Sequence, residues 1–200
     1  MKILLLANGD ATNIKYSYFD KIVCVDGGLN SLPAAITPYA IIGDFDSINK
    51  SLLQHFKEKS NIIVKNNQDE SDLHFALKYC LTLEPKEINI INAVSTSRFD
   101  HSVCNVLLLE KIPKHISAKI ITHTQEIFLI RDSVKLIGLT NQLLSLIPLT
   151  NCTGIKTQGL QWEINEDLSY GFVNGISNVI KNETATISIK TGSLLCILER

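Results

Sequence analysis

The sequence lacks any long apolar run. Its N-terminal run, Ile3 to Ala7, is about five residues, too short for a signal-peptide core or a membrane span. It suits a buried first strand. With no membrane or export signal visible, the expected location is the cytoplasm. The chain also lacks a strong charge of either sign. Its formal net charge is -1, which offers nothing to a polyanionic partner such as nucleic acid. Five cysteines are present, an odd number, and no two form a CxxC pair. A disulfide framework or zinc site is therefore not expected, and a reducing compartment fits better. Internal repeats, low-complexity segments and the P-loop signature are missing as well.

What remains is ordinary for a folded protein: 200 residues, 45% apolar and 20% charged. That length suffices for one large domain or two small ones. In the first part, short apolar runs at 2–7, 22–25, 39–42, 62–64, 88–92 and 119–122 predict strands. Helices are predicted between them at 30–36, 49–59, 71–83 and 100–111. Leu73, Ala76, Leu77 and Cys80 carry the helical spacing in the third, and Val103, Val106 and Leu107 in the fourth. Strands alternating with helices imply an α/β domain with a mostly parallel, doubly wound sheet.

After about residue 123 the pattern changes. Strand-like runs at 127–130, 133–137, 142–147, 154–157, 161–164, 184–190 and 194–198 follow one another, with turn residues between. An all-β sandwich or barrel is expected there. The division is drawn at 1–123 and 124–200.

Three acidic turns follow predicted strands in the α/β part, where ligands of such sheets bind. Asp26-Gly27-Gly28-Leu29-Asn30 reads either as a backbone cradle for nucleotide or phosphate, or as a tight turn with Asn30 or Ser31 as helix cap. Gly43-Asp44-Phe45-Asp46-Ser47 places two carboxylates two residues apart. In an extended backbone both project to one side. Like charges that close need a cation or a proton between them, and Mg²⁺ takes such oxygen ligands together with substrate phosphates. The metal reading is preferred to a solvated turn capping the next helix. Gln68-Asp69-Glu70-Ser71-Asp72 either caps the following helix or adds Asp72 to the metal. A further cluster, Arg98-Phe99-Asp100-His101, offers a phosphate clamp in Arg98. Asp100 is a cap or an acceptor for a ligand amine, and His101 a proton carrier or a structural histidine.

In this order and spacing the four clusters resemble the thiamine pyrophosphokinase family. Gly159-Leu160-Gln161-Trp162 and Ile176-Ser177-Asn178 extend the resemblance into the β-rich part. It implies transfer of pyrophosphate from ATP to thiamine, giving thiamine diphosphate and AMP, with Mg²⁺ held by Asp44, Asp46 and Asp72. It also implies a homodimer with active sites at the subunit interface. Asp26, Gly27 and Asn30 would line the nucleotide side, with Gln68, Asp69 and Arg98 toward the phosphates. Asp100 would face the aminopyrimidine. Trp162, Ser177 and Asn178 would contact thiamine from the other subunit, although a lone Trp is also a common core residue. The sequence does not choose among Asp69, Asp72 and Asp100 as general base. Alternatives are another Mg²⁺-dependent phosphotransferase or nucleotide hydrolase, and a non-catalytic thiamine or nucleotide sensor.

The family usually has Gly-Gly before its Arg-x-Asp-His; here Thr96-Ser97 stand there. If that turn needs a positive φ, Thr96 is strained by about 1–3 kcal/mol. His74 and Val179 also depart from common family residues.

Overall fold

The computed structural model describes residues 1–66, 69–172 and 174–200. Gln68 therefore lies outside the described residues. The chain divides into two compact units, Met1–His123 and Thr124–Arg200.

The first unit carries strands β1 Lys2–Leu6, β2 Lys21–Val25, β3 Ala40–Gly43, β4 Asn61–Val64, β5 Glu87–Ile91 and β6 Ser117–Ile121. Helices α1 Lys50–Phe56, α2 Asp72–Thr82 and α3 Phe99–Leu107 lie between them. The strands pair in the order β6-β5-β1-β2-β3-β4, all parallel. The direction of winding reverses at β1 and β5, which opens a crevice beyond their carboxyl ends. Strands β1 to β3 are almost wholly buried, as parallel strands covered on both faces must be. Each fully buried Leu or Ile contributes about 1.5–3 kcal/mol. In α2 the expected stripe Leu73, Ala76, Leu77 and Cys80 is the buried one. Ser71 caps it, its Oγ accepting from His74 N–H at 3.2 Å.

The predicted helix at 30–36 does not form. Asp26–Ser31 winds instead as a short 3₁₀ turn, and Leu32 is extended at φ −72°, ψ 130°. Pro33 follows, and proline disfavours the helical region for the residue before it. In α3 the apolar stripe points outward: Phe99, Val103 and Leu107 are 77%, 42% and 47% exposed.

The second unit contains β7 Gln125–Ile130, β8 Ser133–Ile137, β9 Leu143–Pro148, β10 Lys156–Gln158, β11 Asn178–Val179, β12 Thr184–Ser188 and β13 Leu194–Glu199. They form two antiparallel layers, β11-β9-β13-β7 and β10-β12-β8. One core joins the layers, with Leu144, Leu146, Cys196 and Leu198 meeting Leu136, Ala185 and Ile187. Residues alternate in and out along β9 and β12, the period of a half-buried strand. The predicted strand at 161–164 is absent. Glu163 instead accepts from Gly159 N–H at 2.8 Å, Leu160 N–H at 3.1 Å and Thr157 Oγ1 at 2.6 Å. Within the segment itself, Trp162 N–H donates to Asn178 Oδ1 at 3.2 Å and Ile164 N–H to Thr157 Oγ1 at 2.7 Å, so side chains satisfy backbone that a ladder would otherwise pair.

Among the described residues no helix is long and apolar enough to cross a membrane. Burial pushes the thiols of Cys24, Cys80 and Cys196 up to about 12, and Cys152 is also buried; Cys104 is exposed. Since thiolate and access control reaction, titration of the native protein with a thiol reagent should find a single fast site. Mass mapping should place it at Cys104. Several fast thiols in the native state would contradict this packing.

Candidate functional site

A cleft of about 600 Å³ opens at the carboxyl ends of the first unit's strands. The turns after β1, β2, β3 and β5, and the segment joining β4 to α2, all contribute to its wall.

The turn after β2 begins with Asp26, which is buried yet holds φ at +43°. Gly28 is obligatory beside it, because a Cβ there would lie 2.1 Å from the Leu6 carbonyl oxygen. Ser47 then ties three segments together. Its hydroxyl donates to Asp26 Oδ2 and accepts from Gly27 N–H at 3.1 Å and from Asn8 Nδ2 at 3.3 Å. Asn30 fastens the same two turns, donating to Ser47 O at 2.9 Å and accepting from Asn49 N–H at 2.8 Å. It is a bridge between turns, while Asn49 is the residue that caps α1.

The turn after β3 is not extended, as the sequence reading assumed. Phe45 has φ +66° and packs against the core. With Phe45 directed inward, Asp44 and Asp46 flank it, and Asp46 N–H donates to Asp44 Oδ1 at 3.3 Å. Asn92, after β5, also has positive φ, +55°. Each such residue costs about 1–3 kcal/mol, so three strand ends of this cleft hold strained backbone.

The carboxylates of Asp26, Asp44 and Asp46 offer oxygens within 4.8 Å of one another. Repulsion from Asp44, then from Asp26, raises the Asp46 carboxyl above its ordinary range. Asp26 Oδ1 is buried without a hydrogen-bond partner, an expensive state for a carboxylate oxygen. A hard divalent cation fits such a donor set. Asp72, expected as the third carboxylate, lines the same cleft; its Oδ1 lies 3.1 Å from Lys65 Nζ and, like Asp26 Oδ1, is buried without a hydrogen-bond partner. Asp26 stands beside Asp44 and Asp46 because β2 and β3 are adjacent strands. Asp69 is exposed, and its neighbour Glu70 pairs with Lys78 at 2.7 Å and His74 at 3.3 Å.

Arg98, which lines the cleft, grips Asp100, which is not among the lining residues, through two bonds, 3.0 and 2.8 Å. The guanidinium holds the Asp100 carboxyl well below the usual range. His101 Nε2 also touches Arg98. Neither Thr96 nor Ser97 has positive φ, so the strain expected at Thr96 is absent. Its N–H donates to Asp10 Oδ2 at 3.3 Å, and Ser95 Oγ donates to Asp10 Oδ1 at 3.2 Å. Asp10 thus stabilises a loop that needs no glycine.

In the second unit, the two segments singled out in the sequence meet through one side chain. Asn178 is buried; its Oδ1 accepts from Trp162 N–H at 3.2 Å, and its Nδ2 donates to Trp162 O at 2.7 Å. Trp162 itself is 56% exposed, so it is not a core residue. Ser177 has φ +55° and donates its N–H to Ser145 Oγ at 3.1 Å.

Sequence reasoning missed Asn8, Asp10, Ser47, Lys65 and Asn92. Asn8-Gly9-Asp10 had a usable signal, since it follows β1 as the acidic turns follow β2 and β3. Lys65 had none, because a single lysine after a strand reads as a solvated end.

Comparison with known proteins accords with this geometry. Residues 16–122 match the family model "Thiamin pyrophosphokinase, catalytic domain". Residues 130–195 match "Thiamin pyrophosphokinase, vitamin B1 binding domain". The chain is 28% identical to thiamine pyrophosphokinase 1 of Oryza sativa subsp. japonica, over 83% of this chain and 74% of that protein. It is 27% identical to thiamin pyrophosphokinase 1 of Caenorhabditis elegans, over 86% and 76%. In fold it is similar to the crystal structure of thiamine pyrophosphokinase from Bacillus subtilis. The TM-score there is 0.87, at 24% identity, covering 100% of this chain and 99% of that one. From the paired acidic turns, the two-unit order and matches that span most of its length, the chain belongs to the thiamin pyrophosphokinase family.

Proposed function

We propose that the cleft of the first unit carries out the family's reaction with Mg²⁺ as cofactor, and that the second unit binds thiamine and dimerises. Family membership gives this chain thiamine diphosphokinase activity, the transfer of pyrophosphate from ATP to thiamine. The observation that carries the metal reading is the convergence of Asp26, Asp44 and Asp46 on one point, with a buried oxygen of Asp26 unpartnered.

In this reading Asp44 and Asp46 hold the cation, joined by Asp26 or by Asp72. Bound Mg²⁺ supplies neutralisation of charge on the phosphate oxygens. Asp26, Gly27 and Asn30 shape the nucleotide side, and Asp69 and Arg98 serve the phosphates, the role the family resemblance also gives Gln68. Asp100, kept ionised by Arg98, accepts a hydrogen bond from the thiamine aminopyrimidine. The thiamine hydroxyl then attacks the β-phosphorus in line, and AMP leaves. The protein's share is positioning and electrostatics, as in other phosphoryl transfers, so a dedicated base is not required.

The homodimer reading is supported by exposed apolar side chains in both units. Phe99, Val103 and Leu107 line one face of α3, and Trp162, Tyr170, Phe172 and Ile176 are more than half exposed. Clusters of this kind mark interaction surfaces. Trp162 and Ser177 would meet thiamine bound on the other subunit, with the buried Asn178 acting through the Trp162 backbone it holds; the Trp162 ring would gain about 0.5–2 kcal/mol from the cationic ligand. The buried thiols Cys24, Cys80 and Cys196 support a reducing, cytoplasmic location.

A coupled assay of AMP release from ATP and Mg²⁺ tests the reading. AMP should form only when thiamine is present. Equal release without thiamine would point to a nucleotide hydrolase.

A further inference from the structure

Lys65 is the most deeply placed cation of the cleft, its side chain 3% exposed. Its backbone N–H donates to Gly43 O at 2.9 Å, which fixes it beside the Asp44–Asp46 turn. Its ammonium donates to the Glu70 carbonyl at 2.7 Å and pairs with Asp72 Oδ1 at 3.1 Å. An ammonium has three donors; the Glu70 carbonyl takes one, and the contact with Asp72 is an ion pair without hydrogen-bond geometry, so donor capacity is left for a further anion.

A buried ammonium is costly to desolvate and needs a partner. Here it has found one inside a group of carboxylates suited to a cation. The placement has two electrostatic consequences. Asp72 already has an ion-pair partner, and a positive charge stands beside Asp44 and Asp46, where it opposes any second cation. Asp72 and Lys65 are both felt at Asp46, Asp72 adding to the repulsion of Asp44 and Asp26 and Lys65 working against it. A polyphosphate would reverse both effects, because its oxygens can satisfy the ammonium.

We propose that Lys65 is an internal counter-ion that occupies Asp72 in the free protein and withholds it from a divalent cation, so that the cation binds tightly only together with a polyphosphate. Lys65 is then a positioning residue that couples two ligands, and Asp72 changes partner between the free and loaded states. The inference rests on the metal reading above.

The experiment is direct Mn²⁺ binding to the whole chain, by calorimetry or electron spin resonance, without nucleotide. Lys65→Gln keeps a donor for the Glu70 carbonyl and loses the charge. It should bind Mn²⁺ on the order of tenfold more tightly than the unmodified protein. With a methylene-bridged ATP analogue present, the unmodified protein should gain affinity and Lys65→Gln should gain much less. A folded Lys65→Gln protein with unchanged or weaker Mn²⁺ binding overturns the inference. Should that variant not fold, Asp72→Asn decides. Its Mn²⁺ affinity without nucleotide should stay within about twofold, because Asp72 is already engaged; a loss of about tenfold would show Asp72 ligating freely and overturn the inference. Asp44→Asn is the control. If it leaves Mn²⁺ binding intact, the metal reading is wrong and the inference falls with it.

Discussion

Replacing Asp44 by Asn is expected to lower turnover by about 10²-fold or more, the scale of losing one preorganised electrostatic contact to a charged transition state. Asp46→Asn should behave alike. Both changes keep the shape of the turn and remove the charge that would hold a divalent cation. Stability should move the other way. Asp44 and Asp26 repel Asp46, so either substitution relieves like-charge repulsion in metal-free buffer. The melting temperature should rise or hold, as is common where a site keeps destabilising groups for function. A melting scan beside a steady-state assay separates the cases. Near-normal turnover at limiting Mg²⁺ in both variants would remove these residues from the chemistry. A fall in both turnover and melting temperature would mean the carboxylates serve the fold.

The second large effect is a recovery. Trp162→Ala should be nearly inactive by itself if the ring completes a thiamine site on the other subunit. Trp162 projects from a segment held at its backbone by Asn178, so truncating the exposed ring should leave the second unit folded. Asp44→Asn damages the first unit only. In a mixed dimer one site would carry both defects and the other neither. Mixing the two purified variants should therefore restore substantial activity as subunits exchange. Mass spectrometry would follow the exchange. Full exchange without recovered activity would place Trp162's role within its own subunit.

Much of the fold is legible in the chain's own periodicities. Runs such as Ile3 to Leu6 and Ile22 to Val25 are short, continuous and apolar, and they became parallel strands buried on both faces. The helical stripe of α2 and the alternation of β9 and β12 follow from the same rule, since the period of burial is the period of the element. The misses occur where a local interaction outweighs the period. Pro33 ends what would have been a helix at 30–36, and side-chain oxygens of Asn178 and Thr157 capture the Trp162 and Ile164 N–H groups that a strand at 161–164 would have paired. The α3 stripe had the right period and the wrong destination, because period alone does not say whether the apolar face meets its own chain or solvent.

The site divides in the same way. Sequence by itself determined that carboxylates stand after successive strands, because acidic turns interrupt apolar runs and the α/β order brings strand ends to one edge. It determined too that Asp44 and Asp46 share a side, though by way of a left-handed Phe45 and not through extended backbone. Only the tertiary structure decided which carboxylates converge. Strand order put the Asp26 turn next to the Asp44 turn, and burial placed the ammonium of Lys65 against Asp72. It also decided that Thr96 is unstrained, since Asp10, 86 residues away in sequence, anchors that loop. These outcomes depend on distances between segments remote in the chain. Charge and hydrogen bonding act through space over a few ångströms, and sequence spacing carries no record of that separation.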